Sequence, residues 1–315
     1  MKKRHKRIIA LGVAFALNVV CQGQTFTPAP GPNGSPPLTI SGTIFDPSGA
    51  PAPGVVLVLP PGAAGSNAEV KSDETGKYTF TWKGLPQLVG GGKARAYSLI
   101  ARDVAHNFAA AHTVDEATTN LDFHLQPGLT VSAEVKDSDG KPITNATGTV
   151  ALFLGSVETA GVAGSATTNV RINRRPIRAD DQGRVRFSAL AQGCRYSVFF
   201  DAEGHGSSLV QTIQEADTHT TSLELPVVVL KSANLILAGQ VIGADGQPTA
   251  GARLLVSGMM QPITNLISDA TGHFTLKVCE GAVSVSATRP GVMGIAQTVG
   301  GDTNVVIRLT MPLGR

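Results

Sequence analysis

Short runs in which apolar and polar residues alternate recur along most of the chain, and each run is bounded by a turn-forming sequence. The pattern is clear where Tyr78 and Phe80 alternate with Thr79 and Thr81. A period of two is typical of a β-strand with one buried face, and a slip of one residue would expose both aromatic rings. Helical periodicity is absent beyond the N-terminal segment, apart from the alanine-rich stretch 108–117. We therefore predict an all-β chain.

Two short turn sequences recur in the same order three times. The first contains an aspartate, ends in glycine and has a proline two residues further on. Aspartate accepts backbone hydrogen bonds in such turns, and glycine adopts the positive φ that other residues avoid. The three occurrences are Asp46–Gly49 with Pro51, Asp137–Gly140 with Pro142, and Gly243–Gly246 with Pro248. Each predicts a tight turn between two strands.

The second turn sequence has the form Asp-x-x-Gly and precedes an alternating run. Its occurrences are Asp73–Gly76, Asp180–Gly183 and Asp269–Gly272. A glycine turn beside period-two alternation is typical of a β-hairpin. The glycines that close the first and second turns are 27, 43 and 26 residues apart in successive repeats. The middle repeat therefore carries about 16 extra residues, which we place near 155–173.

Further alternating runs complete each repeat, and they begin at Tyr97, Tyr196 and Val283 and again at Leu121, Leu223 and Val305. A repeat of roughly 90 residues with about seven short strands has the size of an Ig-like β-sandwich. The predicted organisation is an N-terminal segment at 1–23, a Pro/Gly-rich linker at 24–37, and β-sandwiches at 38–126, 127–231 and 232–315.

The motifs of the first repeat carry a resemblance to a known family. They are Ser41-Gly42, Asp46, Gly49, Pro51, Asp73, Gly76, Tyr97 and Ala101. This pattern resembles the carboxypeptidase regulatory-like domain, a seven-stranded transthyretin-like β-sandwich. The later repeats depart from it, since Ala133 replaces the strand glycine, Gly243 the turn aspartate and Val283 the tyrosine. The resemblance implies a non-catalytic accessory domain of exported proteins.

The first residues have the pattern of an export signal. Five Lys and Arg residues precede an apolar run at 8–20 that only Asn18 interrupts. This run is too short to span a bilayer, and a basic start followed by a short apolar run is typical of a secretory signal peptide. We predict cleavage after Gly23, and lipid attachment at Cys21 is the alternative, which would tether the chain to a membrane. An uncleaved short anchor is the third possibility.

Charge and cysteine content narrow the class of partner. The segment 1–23 holds five of the 26 basic residues and no acid, which leaves 21 basic against 23 acidic residues, a net charge of −2. Nucleic acid is therefore not an expected partner, because phosphate binding needs a basic face.

Cys194 and Cys279 lie in different repeats and are predicted to be two buried free thiols, with a disulfide between them as the alternative.

Candidate chemical sites are few. The run Asp137-Ser138-Asp139-Gly140 resembles the start of a calcium loop, but Gly148 stands where such a loop closes with glutamate. A zinc carboxypeptidase needs an H-x-x-E pair, which the chain lacks; His112 has Asp115 at that spacing. No nucleophile motif or phosphate loop is present, so we predict no catalytic residue, no metal and no cofactor.

Two functional hypotheses follow from the sequence. The favoured one is an exported, non-catalytic β-sandwich array that acts as a spacer or interaction module at the cell envelope, in the periplasm, on the cell surface or outside the cell. Its partner would be an unknown envelope protein or a polysaccharide. The alternative is a carbohydrate-binding protein with Trp82 and Tyr97 as stacking residues, although Trp82 continues the buried alternation of Tyr78 and Phe80. A hydrolase is the least favoured class.

Overall fold

A computed structural model describes residues 37–59, 68–83, 97–114, 117–157, 166–173, 175–214, 217 and 219–311. The predicted segment 1–23, its Cys21 and nearly all of the linker lie outside these residues. The described residues contain 24 β-strands and no α-helix. None of them belongs to a helix with the length and apolar character needed to cross a bilayer.

The strands form three successive sets, which we call the first, second and third unit. The first unit has β1 (Pro37–Phe45), β2 (Val56–Leu59), β3 (Ala68–Lys71), β4 (Lys77–Lys83), β5 (Tyr97–Asp103), β6 (Phe108–Val114), β7 (Phe123–His124) and β8 (Gln126–Pro127). The second has β9 (Leu129–Asp137), β10 (Thr147–Val157), β11 (Ala166–Arg171), β12 (Ile177–Arg178), β13 (Arg184–Leu190), β14 (Tyr196–Asp201), β15 (Gln211–Ile213), β16 (Ser222–Glu224) and β17 (Val228–Leu230). The third has β18 (Leu235–Ile242), β19 (Arg253–Ser257), β20 (Thr264–Ile267), β21 (His273–Val278), β22 (Ala282–Arg289), β23 (Val292–Val299) and β24 (Val305–Arg308).

Strand order recurs from unit to unit. The third unit consists of two sheets, β21-β18-β24 and β20-β19-β22-β23. The first unit has the matching sheets β4-β1-β7 and β3-β2-β5-β6-β8, and the second has β13-β9-β16 and β11-β10-β14-β15, with β17 added to β9 and β12 to β10. In every unit the opening strand lies between an antiparallel and a parallel neighbour. The predicted all-β class with tandem β-sandwiches is confirmed.

A separate apolar core fills the space between the two sheets of each unit. In the first unit, Ile40 and Phe80 from one sheet pack with Leu57 and Leu99 from the other, and all four are buried. Thr79 and Thr81 point to solvent, as their alternation with Tyr78 and Phe80 predicts. The second and third cores have the same two-sheet origin. Period-two alternation therefore sets which side of every sheet is covered.

The recurring aspartates close the turns as expected. One oxygen of Asp73 accepts hydrogen bonds from the backbone N–H groups of Thr75 at 2.8 Å and Lys77 at 3.0 Å. Asp46, Asp137, Asp180 and Asp269 form the same pair of bonds in their own turns. In the third unit, where Gly243 replaces the first-turn aspartate, Asp245 instead accepts a bond from Gln247 at 3.0 Å.

The second-turn glycine of each unit lies against the end of the opening strand. Gly76 has a φ of +74°, and a Cβ placed on it would lie 2.8 Å from the carbonyl oxygen of Ile44 and 2.9 Å from the nitrogen of Ala52. These two backbone groups are themselves joined, since Ala52 N–H donates to Ile44 O at 2.8 Å. Gly183 and Gly272 have the same positive φ and the same close approach. Only glycine fits there, because both the conformation and the space exclude a side chain.

The extra residues of the middle repeat extend one hairpin. β10 is 11 residues long, and β11 pairs back along it with an irregularity between Phe153 and Ser156. The tip of this hairpin, 158–165, lies outside the described residues. The insertion therefore lengthens a strand pair and leaves the strand order of the unit unchanged.

Replacing Gly76 with alanine should destabilise the chain much more than the same change at Gly49. Both glycines have positive φ, but nothing lies within 4 Å of a Cβ on Gly49. Gly49→Ala should therefore cost only the left-handed strain of about 1–2 kcal/mol. Gly76→Ala must in addition displace two bonded backbone groups, and we expect at least twice that loss in the free energy of unfolding by urea titration. Equal losses for the two variants would contradict the close contact.

Candidate functional site

The two candidate sugar-stacking residues belong to opposite sheets of the first unit. Trp82 lies in β4 and pairs with Leu38, whereas Tyr97 opens β5 and pairs with Val114. Their side chains lie outside the described residues, so their exposure stays a prediction. The strand order separates β4 from β5, because they belong to different sheets.

The histidines are dispersed among separate local contacts. His106 pairs with Asp103 at 2.7 Å, His124 stacks on Phe45, and His112 meets the edge of Phe123. His205 contacts the carbonyl of Glu203, and the His273 ring nitrogen lies 2.9 Å from the Thr271 hydroxyl. Within the described ranges, no three His, Cys, Asp or Glu side chains come together in a way that could hold a metal ion. Asp115 lies outside these ranges.

Hydrogen bonds within their own turns lower the pKa of Asp46, Asp73, Asp180 and Asp269. The Thr75 hydroxyl and then the backbone N–H groups of Lys77 and Thr75 hold the pKa of Asp73 below 3.8, because all of them favour the charged carboxylate. The pKa of Asp180 is lowered chiefly by the backbone N–H of Arg184. In each of these turns, one carboxylate oxygen of the aspartate accepts the hydrogen bonds of the turn's own backbone. These acids therefore act in the described structure as turn-closing groups.

Neither Cys194 nor Cys279 forms a disulfide, and the two lie in different surroundings. Cys279 is buried, and burial raises the pKa of its thiol. Cys194 is only partly buried, so the prediction of two buried thiols is wrong for this residue. The Cys279 sulfur lies 3.4 Å from the carbonyl of Lys231, where the second unit meets the third.

Arg102 joins the first unit to the second. It projects from β5, and only 7% of its surface is exposed. Its guanidinium donates to the carbonyl oxygens of Ala189 at 2.8 Å and Ser188 at 2.6 Å, and to the Asn173 amide oxygen at 2.5 Å. All three acceptors belong to the second unit and are neutral. Burial lowers the pKa of Arg102, but a guanidinium stays charged at any ordinary pH.

Asn107 reinforces the same junction from the turn between β5 and β6. Its backbone is left-handed, with a φ of 57°, a conformation that asparagine tolerates better than most residues. Its amide accepts a bond from Ala189 N–H at 2.7 Å and donates to Gly128 O at 2.8 Å. Gly128 N–H in turn donates to the Asn107 carbonyl at 2.7 Å. The Asn107 side chain thus bonds the second unit both at its start, at Gly128, and at strand β13, at Ala189.

Apolar side chains also contribute to the contact between the first and second units. Ile100, on the outer face of β5, is fully buried and packs with the core of the second unit. Ala109 packs with Ala189 and Ala191 in a small separate cluster. The outer face of this sheet is therefore an interface, although sheet alternation alone assigns it to solvent.

Gln261 forms the corresponding contact between the second and third units. Its side chain is 1% exposed and bonds the backbone of Cys279, with Cys279 N–H donating at 2.9 Å and the amide donating to Cys279 O at 3.1 Å. The backbone carbonyl of Gln261 accepts hydrogen bonds from the N–H and the hydroxyl of Ser207 in the second unit. Beside it, Gly206 N–H donates to Lys231 O at 2.8 Å.

The roles of Arg102, Asn107 and Gln261 at the junctions were not predicted from the sequence. Arginine, asparagine and glutamine are ordinary surface residues, and their partners are 86, 82 and 54 positions away along the chain. The one available indication was Ile100, an apolar residue on the face of β5 opposite Leu99 and Ala101.

Comparison with known proteins gives structural neighbours alone. No family model matches the chain, and no curated protein matches it in sequence. A streptococcal ancillary pilin aligns over 86% of this chain and 99% of its own, with 12% identity and a TM-score of 0.29. The minor pilin GBS52 of Streptococcus agalactiae covers 59% of this chain at 12% identity and a TM-score of 0.29, with 98% of its own chain aligned. The shaft pilin SpaA of Lactobacillus rhamnosus GG covers 63%, with 98% of its own chain, 12% identity and a TM-score of 0.27. These TM-scores are too low for the similarity to indicate a function for this chain.

The turn aspartates predict a loss of stability in acid. The pKa of Asp73 is lower in the folded chain than its ordinary 3.8, so the folded state binds the proton less readily than the unfolded state. The stabilisation is therefore complete above about pH 4 and disappears as the pH falls through the folded pKa.

Asp73→Asn should reduce this pH dependence, because the amide oxygen still accepts the turn's hydrogen bonds but does not titrate. Urea unfolding midpoints measured between neutral pH and pH 3 compare the variant with the parent chain. An identical loss in both would show that Asp73 makes no contribution to acid sensitivity.

Proposed function

We propose that the chain is an exported, non-catalytic array of three β-sandwiches that serves as a spacer or interaction module at the cell envelope. The recurring strand order supports sandwiches at 38–126, 127–231 and 232–315, and their turn motifs support a domain of the carboxypeptidase regulatory-like type. The basic and apolar pattern of 1–23 supports export. Five described histidines are each engaged in a separate local contact, which supports a role without catalysis.

The buried polar junctions carry this proposal. Rotation of the first unit against the second would leave the Arg102 guanidinium and the carbonyls of Ser188 and Ala189 without partners in a water-poor contact. An unsatisfied buried polar group costs about 1–3 kcal/mol, and a charged one costs more. Separate domains that only need to be tethered have no use for such contacts, whereas a spacer of defined geometry requires them.

The second junction supports the same role. A Cβ placed on Gly206 would lie 1.9 Å from the Met260 carbonyl oxygen, so the two units approach to backbone contact. Gln261 satisfies backbone groups on both sides of this contact. In both junctions a buried polar residue bonds groups of the neighbouring unit. Arg102 does so through its guanidinium. Gln261 does so through its backbone carbonyl, while its side chain bonds Cys279 within the third unit.

Export is tested by the mass of the protein isolated from its native envelope fraction. Cleavage after Gly23 gives a chain that begins at Gln24, and the alternative gives a lipid-modified Cys21. A chain that retains Met1 and stays in the cytoplasm would contradict the proposed location, whatever the state of the junctions.

Arg102→Ala should uncouple the first unit from the second. We expect a loss of about 2–3 kcal/mol, because the carbonyls of Ser188 and Ala189 lose their donors. Differential scanning calorimetry should then resolve a separate low-temperature transition that the parent chain lacks. Arg102→Lys should be intermediate, since an ammonium group cannot reproduce the three directed bonds of a guanidinium.

Arg186→Ala is the matched control, because Arg186 is an exposed arginine on β13 near the same junction. It should leave the calorimetric profile within about 0.5 kcal/mol of the parent. If Arg102→Ala behaves like Arg186→Ala, the units are not coupled through this contact, and the rigid-spacer proposal fails.

A further inference from the structure

Strand β23 of the third unit is an open sheet edge. It is the last strand in the order β20-β19-β22-β23, and all eight of its residues pair with β22 on one side. On its other side Met293 exchanges two backbone bonds with Thr310, at 3.0 and 2.9 Å. Because backbone groups alternate in direction along a strand, those of Ile295 and Gln297 also point away from β22. Within the described part of the chain, no strand pairs with them.

The side chains of this edge are uncharged and exposed. Ile295 and Val299 expose 58% and 59% of their surfaces, and Gln297 between them is exposed on the same outer face. β23 contains no charged residue and no proline, which are the usual protections of an edge strand. An exposed strand of this type is expected to add a further strand to its sheet.

The corresponding strands of the other units are protected. In the first unit β6 is covered at its start by β8, and its outer alanines pack against the second unit. In the second unit β15 has only three residues. Ala109 and Ala111 of β6 pair with Arg102 and Ile100 of β5. Met293 and Ile295 of β23 pair in the same register with Thr288 and Ser286 of β22. Ala109 and Ala111 therefore correspond to Met293 and Ile295. The third unit thus has larger apolar side chains at the positions where the first unit forms an interface.

The pattern of β23 is symmetric about Gln297. Antiparallel pairing with a second β23 centred on this residue places Ile295 opposite Val299 and Ala296 opposite Thr298 of the second copy. Ile295 of each copy meets Val299 of the other, and Ala296 meets the short side chain of Thr298. The two Gln297 side chains meet at the axis, where each amide, which donates to Ser284 Oγ of its own chain at 3.1 Å, can also pair with the other. No like charges oppose each other, because the strand carries none. This self-complementarity is the requirement of a twofold interface, in which one patch binds its own copy.

We propose that two copies of this chain associate through antiparallel pairing of their β23 edges, with the twofold axis at Gln297. The four-stranded sheets of the two third units then join into one continuous sheet. This inference concerns the third unit alone and goes beyond the spacer role. Its failure would leave the junctions and the export untouched.

The first test uses sedimentation equilibrium of the purified full chain. The parent chain should associate to dimers, and Gln297→Lys should weaken association at least about tenfold, since it places two like charges at the axis. A mixture of Gln297→Lys and Gln297→Glu chains should recover the association, because the charges then attract. Val306→Lys is the matched control, since Val306 is 52% exposed on β24 of the opposite sheet and should leave the dimer unchanged.

The second test fixes the register by disulfide formation. Paired residues at the axis lie about 5.5 Å apart between Cα atoms, within the range that a disulfide bridges. Gln297→Cys should therefore crosslink to itself, whereas Ile295→Cys should not, because the two copies of position 295 are about 14–15 Å apart in this register. The parent chain, with its own Cys194 and Cys279, sets the background.

Three results would overturn the proposal. They are a parent chain that stays monomeric up to about 1 mM, a dimer that survives Gln297→Lys, and self-crosslinking at position 295 in place of 297. Circular dichroism that matches the parent shows that each variant is folded, and the Val306→Lys chain shows whether an added lysine alone disturbs the third unit.

Discussion

The contact between a turn glycine and the opening strand is the constraint on which each unit depends. Gly76, Gly183 and Gly272 donate no side chain to the core, yet each lies against the carbonyl oxygen of Ile44, Val135 or Val241 at a distance that excludes a Cβ. The same glycine's carbonyl accepts the N–H of that strand residue at 2.8 Å in all three units. In the first unit this contact holds β4 against β1, and it thereby sets the register that sends Tyr78 and Phe80 inward. The two sheets can enclose a core only when that register is held.

Above the level of the single unit, specificity comes from a few buried polar side chains. The cores of the three units are separate, so apolar burial alone would leave their relative orientation loosely defined. Arg102, Asn107 and Gln261 bond backbone groups of a neighbouring unit or of the residues that line the contact. Because buried donors and acceptors must all be satisfied, such contacts permit one arrangement and penalise others. The third unit lacks a successor in the described chain, and its equivalent surface is the apolar, open β23 edge.

The local parts of this architecture were predictable, and the contacts between units were not. Asp-x-x-Gly turns and period-two alternation depend on neighbouring residues, so the turns at Gly49 and Gly76 and the strands on either side of them were predicted correctly. The partners of Arg102 and Gln261 are distant in sequence, and nothing in a polar residue's own neighbourhood indicates its burial. The open edge at Ile295 was also missed, because the alternation of β23 predicts a strand but not its place in the sheet. Cys194 is more exposed than predicted, since a small residue beside a turn need not follow the core pattern.

Amide hydrogen exchange at the two junctions tests most directly whether the three units form one rigid scaffold. The informative amides are those of Gly128 and Ala189, which donate to Asn107 of the first unit, and that of Ser207, which donates to Gln261 of the third unit. If the units are locked together, these three amides exchange as slowly as those of the central strands and become exposed only with global unfolding. Exchange at the rate of an open loop, while the strands of each unit stay protected, would show three sandwiches that move independently.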